Sequence, residues 1–146
     1  MNDLTKWQNY LRVTAICLAI IDAIFIIIGG VVAFGSVDPE FAYGLFDVTP
    51  EMFGGLDAQA SMSLLGGILI VGYAFNLVVA LFSYLGAKDP SKIMPGIVLS
   101  GIFSAACLVN LANAAMSGNP MGTAFGQALL ALYDFYACCR VHKLSK

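Results

Sequence analysis

The stretch VTAICLAIIDAIFIIIGGVVAF, residues 13–34, decides the fold class, because it is one long apolar run with a single charged residue, Asp22. At 1.5 Å per residue, a helix over this run would be about 30 Å long, which is the thickness of the hydrocarbon core of a bilayer. The apolar part of a secretory signal has only about 7–15 residues. We therefore predict a transmembrane helix that stays in the mature protein.

Three further apolar runs follow, at about residues 60–87, 93–116 and 121–139. Turn sequences separate them at residues 86–90 (GAKDP) and 117–120 (SGNP), where Asn119 would cap a helix with Pro120 at its first position. Only 11% of all residues are charged, against about 25% in an ordinary soluble domain. The sequence predicts an all-α membrane protein, a four-transmembrane-helix bundle forming one domain over residues 1–146. Its fourth run is the least apolar, because Gln127 and Asp134 interrupt it.

The basic residues all fall on one side of this four-span arrangement. They are Lys6, Arg12, Lys88, Lys92, Arg140, Lys143 and Lys146. The loop on the other side carries only acidic charges, at Asp38, Glu40, Asp47, Glu51 and Asp57. By the positive-inside rule the basic side is cytoplasmic, which predicts an integral protein of the cytoplasmic (plasma) membrane with both termini inside. The same side holds the expected inner belt of aromatic residues: Trp7, Tyr10, Tyr84 and Tyr136.

The outer loop between the first two spans has about 25 residues (35–59) and is aromatic as well as acidic. Its aromatic residues are Phe41, Tyr43, Phe46 and Phe53. Helix-start signals at residues 38–40 (DPE) and 49–51 (TPE) predict one or two short helices on the outer surface, with the aromatic side chains inward. Such a loop could simply cover the bundle, or it could act as a gate or as a contact surface for a partner.

Each predicted span carries a stripe of small or polar side chains at helical spacing. Small residues let helices approach closely in lipid, and hydroxyl groups form hydrogen bonds across the contact. These stripes include Ser83, Ser100, Thr123 and the pair Gly122-xxx-Gly126. The simplest interpretation is that they form the packed interior of the bundle.

Two carboxylates stand out from these stripes, Asp22 and Asp134. A charged side chain at the bilayer centre costs about 2.5–3.5 kcal/mol on insertion scales, so each is a functional candidate. No basic residue lies within a span to neutralise Asp22, whereas Asp134 could pair with Arg140. Together with nearby polar groups they define a candidate pathway or binding site: Asp22, Tyr73, Asn76, Gln127 and Asp134. The alternative for both carboxylates is a purely structural role.

Motifs of several enzyme classes are missing from the sequence. It contains no glycine-rich phosphate loop, no metal-spaced Cys/His set and no Ser-His-Asp constellation, and Cys138 and Cys139 are adjacent rather than spaced as C-x-x-C. We therefore favour a non-enzymatic role without a cofactor, a metal or a nucleic-acid partner.

The favoured function is a small transporter or channel subunit, moving a proton, a cation or a small polar solute past the intramembrane carboxylates. Because four helices enclose little space, we expect a homo-oligomer in the lipid bilayer. The alternative is a non-catalytic scaffold or accessory subunit that contacts a larger membrane complex through the outer loop. A membrane enzyme acting on a lipid or a quinone is the third possibility.

Overall fold

The computed structural model describes residues 2–146 except Ser36, Asp47, Asn119, Pro120 and Met121, and it describes Thr123 through its backbone alone. The elements are helix α1 (Asp3–Phe34), helix α2 (Pro39–Phe46), a 3-10 turn (Pro50–Phe53), helix α3 (Ala58–Lys88), a 3-10 turn (Pro90–Lys92), helix α4 (Ile93–Ser117) and helix α5 (Gly122–Leu144). The described residues contain no strand, which confirms the all-α prediction.

Three helical segments are long and apolar enough to cross a membrane. They are Asp3–Phe34, Ala58–Lys88 and Pro90–Ser117, with 32, 31 and 28 residues. Their apolar runs coincide with the first three predicted spans. Helix α5 has 23 residues but is less apolar than these three, because Gln127 and Asp134 interrupt it.

Two helices extend beyond their predicted apolar spans. Helix α1 begins at Asp3, ten residues before the apolar run at 13–34, and helix α5 continues to Leu144, five residues past the predicted end at 139. Hydropathy marks where apolar surface ends, whereas a helix continues as long as its backbone hydrogen bonds do. Charge also favours these extensions, since Asp3 lies in the first turn of α1 and Lys143 in the last turn of α5.

The outer loop contains two short helical elements that follow the predicted start signals. Helix α2 begins after Asp38, whose Oδ1 accepts a hydrogen bond of 3.3 Å from the backbone N–H of Glu40. The 3-10 turn begins after Thr49 and ends at Gly54, which adopts a left-handed φ of 64°. Asp57 then accepts a 2.7 Å hydrogen bond from the backbone N–H of Ala60 in the first turn of α3.

The connection between α3 and α4 is the tight turn expected from residues 86–90. Asp89 caps its 3-10 turn, accepting hydrogen bonds from the Ser91 hydroxyl (2.7 Å) and the Ser91 backbone N–H (3.1 Å). These donors, the hydroxyl first, lower the pKa of Asp89 below its usual value. At the far end of α4, Gly118 ends the helix with a φ of 67°. The predicted cap formed by Asn119 and Pro120 lies outside the described residues.

The chain forms two compact units. The first unit comprises Met1–Ile20 and Asn76–Lys146, and the second unit comprises Ile21–Phe75. Helices α1 and α3 each contribute to both units, whereas α4 and α5 belong wholly to the first and the outer loop wholly to the second. The expectation of a single domain over residues 1–146 stays a prediction.

The first unit has two apolar clusters. One is centred on Leu11, Ile93 and Val141, with Trp7 packed against it. The other joins α4 to α5 and consists of Cys107, Ala128 and Ala131, with Phe103 and Leu111 packed against it. Small side chains dominate the α5 face, which lets α4 and α5 approach closely.

The second unit places α1 against the beginning of α3. The contact is closest at Gly66, where an added Cβ would collide with the carbonyl oxygen of Gly29 and with Ala33. Its apolar core contains Val32 and Leu65 from these helices and Ala42 and Phe53 from the outer loop. The outer loop is therefore packed on the helices of its own unit.

Candidate functional site

A buried polar cluster lies in the first unit, where α3, α4 and α5 contribute one or two side chains each. It consists of Ser83, Ser100, Asp134 and Cys138, and all four side chains are almost completely buried. Asp134 and Cys138 are four residues apart, so they share one face of α5. We call these four residues the Asp134 cluster.

The Asp134 carboxylate is held on one oxygen only. The Ser83 hydroxyl donates a 2.7 Å hydrogen bond to Oδ2 of Asp134 and lies 3.6 Å from Sγ of Cys138. The other oxygen, Oδ1 of Asp134, is buried and has no hydrogen-bond partner among the described residues. A buried acceptor without a partner is unfavourable, so this oxygen is a place where a proton or a cation would be stabilised.

Ser100 closes the cluster on the side of α4. Its hydroxyl donates to the carbonyl oxygens of Gly96 (2.6 Å) and Ile97 (3.3 Å) in its own helix. Ser100 also interacts with the thiol of Cys138. The hydroxyl of Ser100 is therefore satisfied as a donor within α4.

The suggested pairing of Asp134 with Arg140 was wrong. Six residues at 100° each turn the second side chain about 240° around the helix from the first, so the two point to different sides of α5. The guanidinium of Arg140 instead lies over the ring of Trp7, with Cζ 5.4 Å from the ring centroid. Among the described residues, the two ion pairs are Lys6–Asp3 and Lys92–Asp89, and Arg140 takes part in neither.

The other residues of the candidate pathway are divided between the two units. Asp22 belongs to the second unit and is 1% exposed. Tyr73, also in the second unit, stacks on Phe25 with ring centroids 4.5 Å apart and planes 10° apart. Asn76 is buried in the first unit.

Gln127 lies away from the buried face of α5. Its side chain is exposed on α5, while the buried face of this helix is formed by alanines such as Ala128 and Ala131. The pair Gly122-xxx-Gly126 also makes no close helix contact with the described residues, since an added Cβ would meet no atom within 4 Å at either position. The side chain of Thr123, from the same stripe, lies outside the described part of the chain.

The aromatic residues of the outer loop divide into an inner and an outer set. Phe53 is buried, its ring centroid lies 5.9 Å from that of Tyr43, and Phe46 packs against the same core. Phe41 departs from the predicted inward orientation, because 64% of its surface is exposed. Asp47, predicted among the outer carboxylates, lies outside the described residues.

Two open grooves on the surface have apolar linings. The larger has a volume of about 500 Å³ and lies in the first unit, between Ala15 and Ala19 of α1 and Leu81 and Tyr84 of α3. The smaller, of about 260 Å³, lies between α1 and α2 in the second unit. Neither of these two grooves is lined by a carboxylate.

Comparison with protein families, curated proteins and solved structures finds no match to this chain. Function must therefore be argued from the chemistry of the site itself. The main feature that the sequence did not indicate is the partner of Asp134, because Ser83 is 51 positions away and lies on another helix. The one feature of the sequence that pointed to Ser83 was its position in the polar stripe of the second predicted span.

Proposed function

We propose that this chain crosses the membrane four times, with both termini in the cytoplasm, and works as a subunit of a transporter or channel. The three apolar segments support membrane insertion. Helix α5, with 23 residues, would be about 35 Å long, which is enough to cross the hydrocarbon core. The position of every basic residue on one side of this arrangement supports the orientation.

The observation that carries the proposal is the state of Asp134. Its carboxylate is 1% exposed, has a serine hydroxyl on one oxygen and forms no ion pair among the described residues. A bare negative charge in such surroundings is costly, so the group must carry a proton or be matched by a cation. Exchange of that proton or cation between the two sides of the membrane is the function we infer.

Four helices enclose little space, and the two grooves described above have apolar linings. We therefore propose that the transporting form is a homo-oligomer in which several copies of the Asp134 cluster act together. The transported species is a proton, a cation or a small polar solute, because these are what a carboxylate and two hydroxyls recognise.

The test is a flux assay on protein reconstituted into liposomes, with a pH-sensitive dye inside and Na⁺ or K⁺ gradients imposed. Asp134→Asn keeps the size of the side chain but removes its ionisable group, so flux should fall to the level of empty liposomes. The matched control is Asp57→Asn, an exposed helix-start residue where Asn caps equally well, and it should transport normally. Full flux in Asp134→Asn, with an unchanged pH profile, would refute the assignment.

Asp22 is the second candidate carboxylate. It belongs to the other unit, so Asp22→Asn should be tested as a separate variant in the same assay. Loss of flux in Asp22→Asn would make it part of the transport machinery. Full flux together with normal thermal stability would instead identify Asp22 as a packing residue, since an amide can replace a protonated carboxyl as donor and acceptor.

The second candidate function is that of an accessory or scaffold subunit. It is favoured by the outer loop, where Phe41, Leu45 and Met52 are exposed beside the carboxylates of Glu40 and Glu51. Exposed apolar groups rimmed by charges are typical of a contact surface. This function predicts no flux in the unmodified protein, together with a native complex that becomes smaller when Phe41→Ser is introduced.

A further inference from the structure

The N-terminal part of α1 and the C-terminal part of α5 meet in an aromatic and cationic cluster. The edges of Trp7 and Tyr136 meet with ring centroids 5.4 Å apart and planes at 78°. Tyr10 approaches Trp7 in the same manner, at 5.8 Å. The Arg140 guanidinium lies over the Trp7 ring, a geometry in which the ring quadrupole attracts the cation.

The guanidinium still has hydrogen-bonding capacity. Nε of Arg140 is buried and donates to none of the described residues, and Arg140 forms no ion pair with them. The ring of Trp7 balances part of the charge but accepts no conventional hydrogen bond from the N–H groups. A half-buried arginine with an unused donor favours binding of an anion that has oxygen acceptors.

The position of the cluster along α1 indicates which anion is available to it at that depth of the membrane. Trp7 precedes the apolar run at 13–34 by six residues, or about 9 Å of helix. This places Trp7 at the depth of the lipid headgroups, where tryptophan, tyrosine and arginine are characteristically found. Lipid phosphates are the most concentrated anions at this depth, and a guanidinium can bind two phosphate oxygens at once.

The cluster also favours an anionic lipid over a zwitterionic one. A choline headgroup would bind best over an aromatic face, but the Arg140 guanidinium already covers a face of Trp7. Lys143 is exposed three residues further along α5 and adds positive charge on the side of Arg140. We propose that Trp7, Tyr136 and Arg140 form a binding site for the phosphate of an anionic phospholipid. This site is independent of the transport activity proposed above.

The protein carries its own reporter for this site, because Trp7 is its only tryptophan. Bromine atoms quench tryptophan fluorescence only at short range, so they are placed on the acyl carbons next to the glycerol, close to the depth of Trp7. The purified protein is placed in nanodiscs of unbrominated phosphatidylcholine and titrated with either brominated phosphatidylglycerol or brominated phosphatidylcholine. We expect brominated phosphatidylglycerol to quench Trp7 at about fivefold lower mole fraction, as expected for one basic residue contacting an anionic lipid.

The variants separate a specific site from general surface charge. Arg140→Gln should abolish the preference for phosphatidylglycerol, whereas Arg12→Gln should keep it. Arg12 is exposed and lies on the same basic side of the proposed four-span arrangement, so Arg12→Gln removes the same charge from that side. Arg12 lies about 140° around α1 from Trp7, away from the cluster. Arg140→Lys, which keeps the charge and the fold but not the paired donors, should weaken the preference.

Several outcomes would overturn the proposal. They are equal quenching by the two lipids in the unmodified protein, a preference that survives Arg140→Gln, or one that Arg12→Gln removes. An Arg140→Lys variant that keeps the full preference would contradict binding through paired guanidinium donors. Abolition of the preference by millimolar inorganic phosphate, but not by chloride at equal ionic strength, would identify a free phosphate rather than a lipid as the occupant.

Discussion

Ser83 and Asp134 are 51 positions apart in sequence, yet the Ser83 hydroxyl donates a 2.7 Å hydrogen bond to Oδ2 of Asp134. Both side chains are almost completely buried, so the bond lies inside the contact between α3 and α5. Hydrogen bonds between helices in a membrane contribute on average about 0.6 kcal/mol and at most about 2 kcal/mol. The bond therefore orients the carboxylate of Asp134 more than it holds the two helices together.

Ser83→Ala tests this bond directly. Removing the hydroxyl leaves a second oxygen of Asp134 without a donor, which should lower the free energy of unfolding by about 1–3 kcal/mol. The measurement is thermal or denaturant unfolding in detergent. The matched control is Ser145→Ala, an exposed serine near the end of the chain, which should change stability by less than about 0.5 kcal/mol. Equal unfolding midpoints for Ser83→Ala and Ser145→Ala would show that another group donates a hydrogen bond to Asp134 when Ser83 is removed.

Gly66→Ala and Gly67→Ala form a matched pair on α3. At Gly66 the added methyl group meets the backbone of Gly29 and the side chain of Ala33, whereas at Gly67 it meets no atom within 4 Å. Gly66→Ala should therefore destabilise the protein by about 1–3 kcal/mol through overpacking. Gly67→Ala should be neutral or stabilising by up to about 1 kcal/mol, because alanine is the better helix former. Similar effects of both changes would contradict the close approach of α1 and α3.

The helical architecture could be predicted because the apolar runs are long enough for a helix to cross a bilayer. Residues 13–34 must be helical in a bilayer, since only a helix satisfies every backbone group there. The turn at residues 86–90 and the short elements after Asp38 and Thr49 could also be predicted, because they follow local steric and capping rules.

The candidate site was only partly predictable, because contacts depend on how each helix is rotated. Hydropathy identified Asp134 as unusual, but it carries no information that Ser83 faces it. The same limit explains the error at Arg140, where nearness in sequence suggested a pair that helical geometry separates. It also explains the glycines: the close contact lies at Gly66 on α3 rather than at Gly122 and Gly126 on α5.

Asp89→Ala should destabilise the protein in a pH-dependent way. Ser91 lowers the pKa of Asp89 in the folded protein, so the charged cap contributes stability above the ordinary pKa of Asp and loses it as the pH falls through the lowered value. The difference in unfolding midpoint between the unmodified protein and Asp89→Ala should therefore be present at about pH 7 and shrink at about pH 3. Lys92→Gln, which removes the 3.5 Å ion pair with Asp89 but keeps the cap, should have the smaller effect. A difference that is independent of pH would contradict the role of the charge.

The orientation can be tested with single cysteines in a background without the four native ones. A cysteine at position 51, in the outer loop, should react with an impermeant thiol reagent from outside the cell only. Cysteines at positions 89 and 143 should react only after the membrane is opened, because the proposed topology places both on the basic, cytoplasmic side. Labelling of positions 89 and 143 from opposite sides would show that α5 does not cross the membrane with the other helices.

Phe53→Ser and Phe41→Ser test how the outer loop is held. Phe53 is buried beside Tyr43, whereas Phe41 is largely exposed, although both residues belong to the same loop. Removing a buried phenylalanine costs about 3–5 kcal/mol, which should release the loop from its core while the helices stay folded. A protease that cleaves after glutamate should then cut at Glu51 much faster in Phe53→Ser, and at the original rate in Phe41→Ser. Neither substitution changes Glu51 or Met52, the two residues that flank this cleaved bond, so the rates at Glu51 can be compared directly. Equal cleavage of the two variants would show that the loop is anchored by contacts other than Phe53.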